Sequence, residues 1–162
     1  MALQEQLSGT ASTLPSEGFF VTKTQISADK ISAYQSTHYR VVHSDGEIVL
    51  KIGNPSPRLF ALLKEHRVTS GAFLTAFNPR GAQQSDAENE LAHAWLTKEL
   101  GDLGVKCIDG KGGEENSDWP VERSVFALGL SLANATELAN RANQDAFVWV
   151  GVDGIPQLIL LR

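Results

Sequence analysis

The chain has 162 residues, of which 42% are hydrophobic and 20% charged, a size that builds one core without disulfide or metal staples. Its net charge of −5 and pI near 5.3, with Lys and Arg scattered along the chain, argue against a nucleic-acid partner. One cysteine, Cys107, allows no internal disulfide, and no run approaches the ~20 apolar residues of a membrane span.

Met1 to Gln6 lacks the basic start and apolar run of a signal peptide, so a cytoplasmic location is expected. Residues 1–18, rich in Ser, Thr and Gly without a sustained period, read as a flexible N-terminal arm. A short piece around Phe19-Phe20-Val21 is expected to dock at the start of a single domain over 19–162. Ser27 or Asp29 caps a short helix through Tyr34. The runs His38–His43 and Glu47–Ile52 read as a hairpin turned at Asp45-Gly46.

Pro57 opens a helix whose Leu59, Phe60, Leu62 and Leu63 recur at helical spacing to about Arg67. The next run, Ala72 to Phe77, is apolar on both faces and reads as a central strand. A long helix follows from Asp86 to Leu103, released by Gly104 into a strand at Val105–Ile108. Asp109 to Pro120, Gly-rich and acidic, reads as a surface loop before a strand at Ser124–Gly129. Asn134-Ala135-Thr136-Glu137 has capping-box form and predicts a helix to about Ala142. Ala146–Val150 and Pro156–Leu161 close the chain as a second hairpin through Asp153-Gly154. These elements predict a single α+β domain: a mixed, mostly antiparallel sheet of six or seven strands with three or four helices on it.

The strand-loop-helix junction over residues 73–89 is where a ligand is expected, because a strand end leaves a crevice and the next helix offers unpaired N–H groups. Ser85 and Glu88 form a Ser-x-x-Glu capping box, which accounts for Ser85 and leaves Glu88 open to a second role. At ~100° per residue, Asn89 falls about 20° from Leu96 and about 40° from His93, so its amide aims inward. It either staples the preceding loop or contacts a ligand. Asn78, before Pro79, is a turn former as well as a binding candidate. Arg80, between Pro79 and Gly81, is placed to meet an anion near the helix start.

Trp119, Glu122 and Ser124 come in quick succession and suit a pocket wall; the plainer reading is a Trp covering the sheet and a Glu paired with Arg123 or a neighbouring Lys. Gln144, just before a strand, either joins that wall or caps the helix ahead of it. His38, His43, His66 and His93 show no metal spacing, and the nucleotide-binding glycine signatures are missing, so neither metal nor cofactor is expected.

Tyr39-Arg40-Val41, the stretch Phe73 to Pro79, Glu88-Asn89, the stretch Trp119 to Ser124, and Asn143 to Ala146 occur in an order that resembles a bacterial family known only as domain-of-unknown-function number 3293. The resemblance spans roughly Tyr34 to the C-terminus and leaves the N-terminal arm outside. It implies a small stand-alone protein and brings no activity, substrate or catalytic residue with it. The expectation is therefore a pocket for a small polar or anionic molecule, formed by Asn78, Arg80, Asn89, Trp119, Ser124 and Gln144, with Glu122 or Glu88 as general base should the protein be an enzyme. The alternative is a non-catalytic protein-interaction module using the acidic 109–118 loop or an exposed hairpin edge.

Overall fold

Four serines start the four α-helices. In the computed structural model, which describes residues 23–162, Ser27 precedes α1 (Ala28–Ser36), Ser56 precedes α2 (Pro57–Glu65), Ser85 precedes α3 (Asp86–Asp102) and Ser131 precedes α4 (Leu132–Arg141). Each hydroxyl accepts an N–H from the first turn, from Lys30, Leu59, Glu88 and Asn134 respectively, a contact typically worth ~1 kcal/mol. The expected arm over 1–18 and the docked piece at Phe19–Val21 lie outside the described residues.

Seven strands, β1 (Tyr39–Val41), β2 (Ile48–Leu50), β3 (Gly71–Leu74), β4 (Lys106–Gly112), β5 (Glu122–Leu128), β6 (Ala146–Val150) and β7 (Pro156–Leu160), form one sheet. Their order is β2-β1-β4-β5-β3-β6-β7 and every pairing is antiparallel. The architecture is α+β, as the sequence predicts. Both hairpins form, with Gly46 (φ 105°) and Gly154 (φ 67°) supplying the left-handed turn positions.

Strand alternation divides the core between the two faces. Ala72, Leu74, Val125 and Ala127 face α3 and α4, meeting Leu96, Leu100 and Leu138. Phe73, Phe126, Leu128 and Val148 face the other way, with Leu59, Leu62 and Leu63 of α2 packed in the same cluster. Burying a Leu or Phe side chain contributes roughly 1.5–3 kcal/mol, so these two layers dominate the stability of the sheet.

Three of the boundary differences from the sequence reading have a clear physical cause or consequence. The strand expected over 72–77 ends at Leu74, because the Thr75 hydroxyl donates to the Arg123 carbonyl (2.8 Å) and accepts the Phe77 N–H (3.1 Å), turning the chain out of the ladder. The fourth helix starts before Asn134, with Ser131 as its cap. Most telling, residues 109–112 belong to β4 and not to a loop. A Cβ at Gly110 would lie 2.8 Å from the Phe73 ring and 2.9 Å from the Arg40 carbonyl. Glycine there makes room for an aromatic side chain lying across the sheet, which overrides its poor strand propensity.

Candidate functional site

The end of β3, the starts of β1, β5 and β6 and the end of β4 share one end of the sheet, as the pairs Tyr39↔Gly112 and Gly112↔Glu122 require. On the face carrying Phe73, no α2 residue reaches this end; α1 stands over it instead. Between α1 and the sheet lies a cleft of about 410 Å³, within the range of small-molecule sites. Phe73, Ser124, Val148 and Leu158 line its floor, Lys30, Ala33 and Tyr34 its roof, and Asn78, Trp119, Glu122 and Gln144 its rim.

The rim is built from the junction. Asn78 adopts a left-handed conformation (φ 47°, ψ 64°) that asparagine tolerates better than most residues, although the following proline disfavours it. Asn89, buried on α3, holds it there: its side-chain Oδ1 accepts the Asn78 backbone N–H (2.9 Å) and its Nδ2 donates to the Asn78 side-chain Oδ1 (2.9 Å). That same Asn78 oxygen accepts the Gln84 N–H (3.0 Å). With its acceptor and N–H engaged, Asn78 aims its own amide at Glu122 Oε1 (3.0 Å). The Trp119 indole donates to the same oxygen (3.1 Å). Two neutral donors thus fix one carboxylate oxygen of Glu122 at the start of β5, while no bond from the described residues engages the other.

Burial raises the affinity of the Glu122 carboxyl for its proton, and the hydrogen bonds from Asn78 and Trp119 only partly oppose this. Glu122 forms no ion pair with Arg123. Consecutive strand residues point to opposite faces, and Arg123 binds Glu90 of α3 instead (2.8 Å). The roof is tied down through Asp145, buried before β6, which receives Lys30 Nζ (2.8 Å), the Tyr34 hydroxyl (3.4 Å) and Arg162 Nε. Burial alone would raise the Asp145 carboxyl, but hydrogen bonds from Arg162 and Lys30, and their charges, hold it below its ordinary range. The Tyr34 hydroxyl is pushed up to about 12 by burial and by the Asp145 charge.

Asn78, Trp119, Glu122, Ser124 and Gln144 thus line one cleft, and Asn89 stands directly behind Asn78. Ser124 donates to its neighbour Glu122's carbonyl (3.1 Å), and Gln144 donates to the Phe77 carbonyl (3.0 Å). Arg80 is exposed and outside the lining; its carbonyl, not its guanidinium, takes part, accepting from Lys30 Nζ (3.1 Å). Glu88 also lies elsewhere. Its carboxylate accepts the Ser85 N–H (3.0 Å) and hydroxyl (2.8 Å), completing the capping box, and it borders a separate groove of about 340 Å³ with Leu91, Trp95 and Arg141.

Sequence reasoning missed Lys30, Tyr34 and Asp145. The available signal was Asp145 beside Gln144, a carboxylate just before an apolar strand. Cys107 is no activated nucleophile: burial and then the Asp109 charge push its thiol up to about 11. Among the described residues no group of three His, Cys, Asp or Glu is gathered for a metal ion, and no helix is long and apolar enough to cross a membrane.

No curated protein and no solved structure matches the chain. A family model does match residues 74–147, a span that holds Asn78, Asn89, Trp119, Glu122, Ser124 and Gln144 and leaves out the α1 roof. Over that span, which runs from the end of β3 to the start of β6, the chain resembles the family described as a protein of unknown function (DUF3293).

Proposed function

We propose that the protein binds a small molecule in the cleft between α1 and the sheet, with Glu122 as its polar anchor. One observation carries the reading: a half-buried carboxyl with one oxygen fixed by Asn78 and Trp119 and the other unengaged among the described residues, at the rim of an otherwise mostly apolar cleft. A few placed polar groups in an apolar concavity are what orients a ligand. Should that ligand be turned over, Glu122 is the group to move a proton, since its affinity for one is raised. The lining gives the anionic version of the expectation little support, because Arg80 stands outside it and Lys30 is held by Asp145. The protein-interaction alternative is weakened in one of its two forms, because residues 109–112 are committed to β4.

A thermal-shift screen with metabolite-sized compounds tests the proposal on the wild type and on Ala33→Trp. Ala33 is exposed on α1 and lines the roof, so the variant fills the cleft without disturbing the core. Compounds that raise the melting temperature of the wild type only are the expected result. Compounds that stabilise both proteins equally, or a library that stabilises neither, would overturn it.

A further inference from the structure

Among the described residues, every charged side chain lining the cleft but one has an opposite charge beside it. Lys30 is matched by Asp145 (2.8 Å). Glu114 is matched by Arg40 (3.8 Å) and bonded to the His38 ring. Glu122 alone among the charged lining side chains has only neutral donors, Asn78 and Trp119. The sequence of residues 1–22 contains no Lys, Arg or His. Around it stand Trp119, Tyr34, Tyr39 and Phe73, which include both tyrosines of the chain.

We propose that the occupant of this cleft is an organic cation, an amine on an apolar frame, whose ammonium group pairs with the unengaged oxygen of Glu122 inside the aromatic wall. The inference rests on the cleft being the binding site and adds the chemical class of its ligand. A half-buried carboxylate without a counter-charge is costly, and a ligand cation removes that cost by supplying one. Aromatic faces attract cations and give an anion nothing. A ligand carboxylate or phosphate would instead bring like charge against Glu122, and a neutral ligand would leave the imbalance in place.

Burial favours the protonated form of Glu122, so a bound ammonium competes with that proton. Affinity for the amine should therefore weaken as the pH falls toward the carboxylate range. Among the described residues, the other ionisable groups facing the cleft are Lys30 and Tyr34 on α1, Tyr39 on β1, Glu114 beyond β4 and, beneath the roof, Asp145.

Three probes with one frame separate the possibilities: phenethylamine, 2-phenylethanol and phenylacetate, titrated at pH 7 while following the indole N–H resonances of Trp95, Trp119 and Trp149. The expected result is movement of the Trp119 resonance and phenethylamine binding at least tenfold tighter than 2-phenylethanol, with phenylacetate weakest. Glu122→Gln keeps an acceptor for Asn78 and Trp119, and it should erase the preference for the amine over the alcohol. An alcohol or acid that binds as tightly as the amine, or an amine preference that survives Glu122→Gln, would overturn the cation and leave the cleft standing. Silence at Trp119 with all three probes also overturns the cation, and the Ala33→Trp comparison then decides the cleft separately.

Discussion

At Glu122 the folded state binds a proton more tightly than the unfolded chain, because burial outweighs the bonds from Asn78 and Trp119. Stability therefore falls as pH climbs from the ordinary value of 4.5 through the raised one, and stays lower above it. Glu122→Gln removes that loss. Its melting temperature should equal or exceed the wild type's at pH 7, with the difference shrinking below pH 4; a clear drop at pH 7 would mark Glu122 as a structural group. His93 has the opposite sign. It is buried with Nδ1 unpartnered among the described residues, and burial, followed by the Arg123 charge, lowers its proton affinity, with Glu90 and Asp109 partly opposing. The unfolded chain takes the proton first, so this stability is present above 6.5 and lost as pH falls toward the folded value. Urea unfolding at pH 7 and pH 5 should show a smaller loss for His93→Leu than for the wild type; equal losses would contradict the assignment. The inward aim of Asn89 was legible from helical spacing. The isolation of Glu122 was not, since it depends on Arg123 reaching across the other face to Glu90.

Two elements position the site, the 78–89 junction and α1. The reciprocal amide pair of Asn78 and Asn89 is what allows a left-handed asparagine before proline. Asn89→Ala strands a buried N–H and a side-chain oxygen, which should cost ~1–3 kcal/mol in chemical denaturation. A change of only a few tenths would mean the loop holds itself. Helix α1 has no fully buried residue and is tied to the body by Lys30 and Tyr34 on Asp145 and by the Tyr39 hydroxyl on the Tyr34 carbonyl (2.6 Å). Asp145→Asn weakens that tie, so amide exchange should quicken in α1 and stay slow in α3; uniform quickening would mean that Asp145 serves the whole fold. The caps at Ser27 and Ser85 and both hairpin turns could be read from local chemistry. The extra length of β4 could not, because Gly110 belongs to a strand only by virtue of the Phe73 ring lying on it.

On the scale of the whole molecule, one face of the sheet is covered by α3 and α4, and the other by α2 with α1 standing apart at one end. That uneven cover is what opens the cleft. The α+β class and the strand number followed from periodicity and turn residues, whereas the strand order did not, because non-local pairing leaves no local trace. Only the order β1-β4-β5 brings Tyr39, Gly112 and Glu122 into one row beneath α1. We propose that this row ends in a carboxyl kept for a ligand. Carbon-13 titration of the glutamate side-chain carboxyls, with and without phenethylamine, tests it most directly. Glu122 should titrate above the solvated glutamates in the free protein and move down when the amine is added. A Glu122 that titrates with the others and ignores the amine would contradict it.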